Sequence, residues 1–227
     1  MRTQWKKALT PLTAAVLAVA VAGCATQETH REVTPQQTAS VNTQYQGEKS
    51  VLVVGKFQNR SNYMQGIFSS GDDMLGNQAK TILKTHLQQT NRFAVVDREN
   101  MDEMRREAEF NAQTQEIVGA RYVVAGDVTE FGRKTVGDRQ LFGILGSGKK
   151  QLAYAKVSLT ISDTKTSAIV YSTQGAGEYE LSNREVLGFG STAAYDATLN
   201  GKVLNFAIIE AVNNIVEDLE SGAWQIE

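Results

Sequence analysis

Strict alternation of apolar and polar residues is clearest between Ala153 and Ile161, where every second residue is apolar. A period of two predicts a β-strand with one buried face. A turn follows at Asp163–Thr166, and a second alternating stretch runs from Ser167 to Glu180. Its odd-numbered positions are apolar or small, which predicts a paired strand with one wet face and is also the weak pattern of a transmembrane β-strand.

Continuous apolar runs earlier in the chain predict three further strands. The first run is Val51–Val54, which is closed by Gly55; the second lies within Arg92–Asp97 and the third is Tyr122–Gly126. The residues that follow, Asp127–Val136, have an extended pattern without a clean apolar face.

Helical spacing predicts three helices. Asp72 and Asp73 open the first, since acidic residues stabilise a helix N-terminus, and its apolar residues recur on one face. His86 falls near that face and is expected at the core edge or surface, not as a ligand. Arg98–Phe110 mixes acidic and basic residues, as a solvated helix does. Leu199–Glu220 has the clearest apolar face, followed by a terminal Ser-Gly and by a tryptophan expected to cap the core.

The order of these elements predicts an α+β fold, in which helices pack on a mixed sheet. The folded domain is expected over residues 50–224. Residues 25–49 are rich in Thr, Gln and Glu without an apolar period, and they predict a flexible tether.

The N-terminus has the pattern of a secretory signal over residues 1–23, with three cations followed by a short apolar run. That run has about half the length that a membrane-spanning helix needs. Val21-Ala22-Gly23-Cys24 resembles the lipobox of bacterial lipoproteins, whose cysteine is acylated after cleavage; the alternative is an ordinary signal peptide with a chance cysteine. Cys24 is therefore the predicted lipid anchor, and Ala25 beside it favours the outer membrane by the same resemblance.

Composition excludes several classes of protein. Removing the three signal cations leaves 20 Lys and Arg against 25 Asp and Glu, a net charge of −5, which disfavours nucleic acid as a partner. The chain has one cysteine and two histidines in separate segments, so a Cys/His metal site and a catalytic triad are not expected. Residues 143–149 nearly match a phosphate loop, but Lys150 replaces the required hydroxyl. The sequence predicts no enzyme and no cofactor apart from the covalent lipid.

A loop between the first strand and first helix carries apolar side chains in a Gly/Ser-rich context, including Ile67 and Phe68. Two interpretations remain open. These side chains tuck into the core, or the loop presents aromatic residues to a partner or a passage.

Taken together, the chain resembles the curli production assembly/transport family, the CsgG/HfaB-type outer-membrane lipoproteins. The resemblance extends over roughly residues 49–224 and rests on order and spacing. The sequence features that support the resemblance are the lipobox, the segments VLVVGKFQNRSNYMQGIFSSGDDMLGNQAKTIL, ARYVVAGDVTEFG and LAYAKVSLTISDTKTSAIVYS, and the last helix with GAW.

This resemblance implies a periplasmic α/β domain that forms a homo-oligomeric ring, a nonamer in the best-known case. Each copy would lend two β-hairpins, here residues 127–162 and 172–195, to a shared transmembrane barrel. Unfolded fibre subunits would pass through without ATP, and periplasmic accessory proteins would assist. A loop within Asn62–Asp72 would narrow the channel, with Asn62, Tyr63, Ile67 and Phe68 as candidate constriction residues.

Arg133, Lys134 and Arg139 interrupt the polarity expected of the first hairpin. A charge at mid-bilayer on a lipid-facing strand costs about 2–4 kcal/mol. These cations must therefore face the lumen or the headgroups, or the hairpin does not span. The second hypothesis is accordingly a lipoprotein on the periplasmic face of the outer membrane that acts as a scaffold or activator without forming a pore.

Overall fold

The computed structural model describes residues 35–63, 73–139, 147–185 and 199–225. They contain a five-stranded mixed sheet in the order β2-β1-β3-β4-β5. Its central strand β1 runs parallel to β2 and β3, whereas β3, β4 and β5 are antiparallel neighbours. The strands are β1 Ser50–Asn59, β2 Phe93–Val96, β3 Tyr122–Arg139, β4 Ser147–Asp163 and β5 Ile169–Glu185. The predicted mixed α+β architecture is thus confirmed.

The described residues also form three helices: α1 Met74–Gln89, α2 Met101–Phe110 and α3 Leu199–Glu220. Helix α1 packs on β1, α3 packs on β4 and β5, and the two helices contact each other. The predicted apolar faces are confirmed, because Leu83 of α1 and Ile208 of α3 are fully buried. Helix α2 buries no residue, as its charge pattern predicts. Within the described ranges, no helix has the length and apolarity needed to cross a bilayer.

Strand β4 confirms the period of two. The apolar residues at its odd-numbered positions are buried, and α3 lies against the same face. They are Ala153, Ala155, Val157, Leu159 and Ile161. On β5 the odd-numbered positions Gly175 and Gly177 are buried against α3. The alternation along this part of β5 therefore results from packing against a helix and not from a surface that faces lipid.

The first strand is longer than the apolar run suggested, and its predicted end at Gly55 is wrong. Strand β1 continues to Asn59 through a register shift between Val54 and Phe57. A β-carbon on Gly55 would lie 2.9 Å from Cγ1 of Val123, so the glycine permits close strand packing there. Glycine in a strand often marks such a close approach and not a chain end.

Strand β3 is also longer than the third apolar run. It continues from Tyr122 to Arg139 and pairs with β4 over the whole of that length. The predicted third strand and the first arm of the first predicted hairpin are therefore one strand. The arm proposed to return after β5, residues 186–195, lies outside the described residues.

Part of the predicted tether packs against the folded domain. Thr38 and Ser40 are buried, and the amide N–H of Ala39 donates to Oδ1 of Asn213 on α3 at 3.0 Å. A flexible tether as far as residue 49 is thus wrong for this segment. Residues 38–45, here called the strap, belong to the folded unit.

The strap is held by the buried guanidinium of Arg92, which directly precedes β2. Arg92 Nη1 donates to the Ser40 and Thr43 carbonyls at 3.2 and 3.3 Å, and Nε donates to Glu220 Oε1 at 2.9 Å. The Tyr45 ring lies 5.3 Å from the guanidinium carbon. The Arg92 guanidinium is planar and has five N–H donors, so one side chain connects the strap to the end of α3. The sequence alone does not predict this connection.

Trp224 closes the core, as predicted. Its ring lies 5.1 Å from Tyr171, 6.0 Å from Tyr122 and 6.3 Å from Phe93. The Tyr171 hydroxyl donates to Asp218 Oδ2 at 2.5 Å. Burial, the larger cause, and the hydrogen bond to Asp218 together raise the pKa of Tyr171 to about 12. The phenol therefore stays protonated at neutral pH.

Replacing Gly175 with alanine should disrupt the packing of α3 on β5. The added β-carbon would lie 2.1 Å from the Ala207 carbonyl oxygen and 2.5 Å from the Ala211 nitrogen. Both are backbone atoms, which cannot move aside as the end of a flexible side chain can. We therefore expect Gly175→Ala to lower the free energy of unfolding by about 1–3 kcal/mol. Urea denaturation followed by circular dichroism measures this change.

Gly119→Ala is the matched control, since a β-carbon there meets nothing within 4 Å. We expect its effect to stay within about 1 kcal/mol. Equal stability of the two variants would contradict the close contact between α3 and β5.

Candidate functional site at the base of the β1–α1 loop

Asp73 holds together the two ends of the loop in which the constriction residues were predicted. Its Oδ2 accepts from the Asn59 amide at the end of β1, at 2.7 Å. Its Oδ1 accepts from the Gly76 amide at 2.7 Å and so caps the N-terminus of α1. The predicted start of the helix is thus confirmed at Asp73, while Asp72 lies outside the described residues. The end of β1 and the beginning of α1 therefore lie close together.

Gly76 makes this arrangement sterically feasible. A β-carbon there would lie 2.4 Å from Asp73 Oδ2 and 2.5 Å from the Phe57 carbonyl oxygen. The first turn of α1 therefore sits directly against the last residues of β1 because residue 76 has no side chain.

The first residues of the loop form a compact hydrogen-bonded turn. Asn59 Nδ2 donates to the Tyr63 carbonyl at 2.7 Å, and Asn59 Oδ1 accepts from the Ser61 amide at 3.0 Å and from its hydroxyl at 2.6 Å. Ser61 is buried, whereas Asn62 between these partners is exposed. This Asx-type turn fixes the direction in which the loop departs.

Tyr63 connects the loop to the hairpin and to α3. Its ring centroid lies 4.7 Å from that of Phe131 on β3, and its hydroxyl accepts from Asn200 Nδ2 at 2.7 Å. Arg133 Nε donates to Asn200 Oδ1 at 2.7 Å. One short network therefore joins the loop, the first long hairpin strand and the first turn of α3.

Arg60 adds a solvated contact on the other side of the turn. Its Nε lies 2.9 Å from Asp127 Oδ1, and its backbone amide donates to the Val128 carbonyl at 2.9 Å. The Arg60 side chain is 64% exposed, so this ion pair contributes little to stability. The backbone bond matters more, since it extends the pairing of β1 with β3 by one residue.

Two of the four candidate constriction residues lie in the described part of the chain. Asn62 is exposed at the loop base, and Tyr63 is half-buried against Phe131. Ile67 and Phe68 lie outside the described residues, as does the predicted anchor Cys24. Their proposed roles remain predictions.

Sequence reasoning missed Asn200 and Asp73 as the residues that join the loop to other elements. A helix-opening aspartate signals a cap, but its second bond to β1 has no local pattern. The sequence marked Arg133 only as a cation that a lipid-facing strand would not tolerate. In the structure it bonds to Asn200 at the start of α3. Among the described residues, no cluster of three or more His, Cys, Asp or Glu is placed to hold a metal ion.

Comparison with protein families decides the relationship. Residues 33–227 match the family described as Curli production assembly/transport component CsgG. The chain belongs to the CsgG family. The resemblance expected from the sequence is therefore confirmed, and the family match begins at residue 33, before the strap.

Individual relatives of this CsgG-family chain differ in how much they reveal. "Putative lipoprotein NMB1126/NMB1164" of Neisseria meningitidis serogroup B is 57% identical over 220 residues, covering 97% of this chain and 98% of that protein. The PelC dodecamer from Paraburkholderia phytofirmans is 16% identical, with 81% and 95% of the chains covered and a TM-score of 0.35. Lipoprotein GNA1162 from Neisseria meningitidis is 14% identical, with 74% and 99% covered and a TM-score of 0.37. The two structural similarities do not inform function.

Asp73→Ala should release both ends of the loop. Loss of the helix cap alone costs about 0.5–2 kcal/mol, and the Asn59 amide also loses its acceptor. We expect a lower free energy of unfolding and faster limited proteolysis between residues 60 and 73. Denaturation curves and mass spectrometry of the early cleavage products measure the two effects.

Asp102→Ala is the matched control, because Asp102 lies in the first turn of α2 and pairs with Arg105 in an exposed position. Its loss should change stability by less than about 0.5 kcal/mol and leave the cleavage pattern unaltered. If Asp73→Ala behaves in the same way, the clamp at the loop base is refuted.

Proposed function

We propose that this CsgG-family protein is an outer-membrane lipoprotein whose copies form a ring and a shared β-barrel. Extracellular fibre subunits of the curli type would leave through this barrel by diffusion, without ATP. The name of the family, which describes curli assembly and transport, and the lipoprotein name of the 57% identical relative both support the proposal.

The observation that carries the proposal is the extension of three strands beyond the helix-covered core. Strands β3, β4 and β5 comprise 18, 17 and 17 residues and stay paired as far as the row Arg139–Ser147–Glu185. Typical strands in soluble domains have about 5–6 residues. A membrane strand needs about 9–11 residues. The described part of β5 beyond Tyr179, Glu180 to Glu185, supplies six residues towards such a strand.

Closure of such a barrel requires more than one copy of the chain. A sheet in hydrocarbon cannot leave an open edge, because its unpaired backbone groups cost several kcal/mol each (~2–7). The three extended strands cannot close a barrel by themselves. Strands from further copies would supply the remainder, which is the physical reason to expect a ring.

The charge of the extension favours the second candidate, a scaffold that does not span the membrane. Four successive ladder rows each contain a charged residue: Val136–Lys150–Ser182, Gly137–Lys149–Asn183, Asp138–Gly148–Arg184 and Arg139–Ser147–Glu185. Charges in four successive rows interrupt the apolar surface that a membrane-spanning sheet presents to lipid. In a pore these rows would have to lie at the headgroups or in the lumen.

Cys24→Ser should abolish lipid attachment and membrane retention. Loss of the thiol removes the acceptor for an acyl chain, and the expected result is no incorporation of a clickable palmitate analogue in expressing cells. Ala25→Ser is the neighbouring control and should keep normal labelling. Labelling of Cys24→Ser at the level of the unaltered chain would show that the anchor lies elsewhere.

The pore is tested with the lipidated full-length protein in planar bilayers. We expect discrete, steady conductance steps. Gln151→Pro lies in the paired extension, in the row Thr135–Gln151–Leu181, and should abolish the steps because proline removes a ladder hydrogen bond. Gln115→Pro makes the same change between α2 and β3, outside any strand, and should leave the steps unchanged.

Circular dichroism and flotation with liposomes show that each variant is folded and membrane-bound. Absence of steps from folded, bound, unaltered protein would refute the pore and favour the scaffold. Steps that persist in Gln151→Pro would show that the conducting path does not use this strand extension.

A further inference from the structure

The two outermost described strands each have one edge that no other described strand occupies at the level of the core. Such an edge presents backbone N–H and C=O groups on which an additional strand can pair. Here three of these groups have side-chain partners. The partners are side chains of the helices that cover the sheet.

On β5, α3 supplies both kinds of hydrogen-bonding group that a neighbouring strand would supply. Glu210 Oε2 accepts from the Ala176 amide at 2.8 Å, and Asn214 Nδ2 donates to the Gln174 carbonyl at 3.0 Å. Glu210 and Asn214 are four residues apart on α3 and so lie on the same side of the helix. They occupy an outward acceptor and an outward donor of β5.

The glycines of β5 allow these side chains to reach around the edge. Gly175 and Gly177 bring the backbone of α3 so close that a β-carbon on Gly177 would lie 2.3 Å from the Val203 carbonyl oxygen. The facing residues of α3, Ala207 and Ala211, are small. This close approach brings the side chains of Glu210 and Asn214 within hydrogen-bond distance of the β5 backbone.

The edge of β2, on the opposite side of the sheet, also bonds to a helix side chain. Gln88, in the last turn of α1, accepts from the Val95 amide of β2 through Oε1 at 3.2 Å. Strand β2 has only four residues, which limits its exposed edge further.

We propose that polar side chains of α1 and α3 seal both edges of the domain's sheet, so that an extended strand of a second copy cannot pair there. Glu210 and Asn214 form the seal on β5, and Gln88 forms the seal on β2. Pairing between copies is then directed away from the domain, to the part of β5 that continues past Tyr179 towards Glu185. This inference does not require the strands to form a pore.

Hydrogen exchange tests the seal directly in the full-length protein in detergent. Glu210→Ala removes the acceptor, and the Ala176 amide should exchange about tenfold faster or more. Glu210→Gln removes the charge but keeps an acceptor oxygen, so its exchange should stay within about threefold of the unaltered protein. Glu217→Ala, an exposed acidic residue on the same helix, should have no effect on the Ala176 amide.

Protection against a second copy is tested by disulfide trapping. Gln174→Cys places a thiol on the sealed edge, and mild oxidation should give no disulfide between two copies at residue 174. The same thiol in the Glu210→Ala, Asn214→Ala background should form that disulfide. Peptide mass spectrometry identifies the linkage without interference from Cys24.

Two results would overturn the proposal. Exchange of the Ala176 amide in Glu210→Ala at the rate of the unaltered protein would show that the carboxylate does not hold the edge. Faster exchange without trapping between copies would show that these bonds only stabilise α3. If the double variant does not fold, Gln88→Ala repeats both measurements at β2, with the Val95 amide and an Ala94→Cys thiol.

Discussion

The close contact between α3 and β5 is the interaction on which most of this structure depends. Glycines at 175 and 177 face Ala207 and Ala211, and no larger side chain fits between the two backbones. This contact places the apolar stripe of α3 over β4, where Ala155, Val157 and Leu159 are buried. It also fixes where both ends of the helix lie. The N-terminal end reaches the loop base through Asn200, and the C-terminal end receives the strap through Glu220.

Polar residues perform the long-range connections, and they do so with several bonds each. Asp73 serves a strand end and a helix start, Asn200 bridges a tyrosine and an arginine, and Arg92 collects carbonyl groups and a carboxylate. Arg92 is buried and Asp73 and Asn200 are half-buried. Because a polar group withdrawn from water is costly when unpaired, each of these side chains fixes its partners in one arrangement. The loop base is therefore a defined scaffold, from which the candidate constriction loop departs.

Local patterns explain why parts of this fold could be predicted from the sequence. The alternation in β4 and the stripe of α3 are direct consequences of burial on one face, and both predictions are confirmed. The ends of β1 and β3 were missed because glycine and polar residues continue a strand when a neighbour pairs with it. The strap was missed because its burial depends on Arg92, which lies far along the chain. Asn200 and Glu210 carry no local signal at all, since their partners are set by tertiary packing.

Helix length determines where the domain ends and the strand extension begins. Tyr171 lies beside Asp218 and Gly177 beside Val203, so one segment of α3 covers this segment of β5. Both segments measure about 20 Å, given rises of about 1.5 Å per helix residue and 3.3 Å per strand residue. Past Tyr179, which stacks on Phe206, little of α3 remains, yet β5 continues to Glu185. The edge of β5 is therefore sealed by α3 beside the core, whereas the part of β5 past Tyr179 lies beyond the reach of this helix. A chain that handles fibre-forming subunits would gain from this division, because an open edge beside its core could template the cross-β pairing of its cargo.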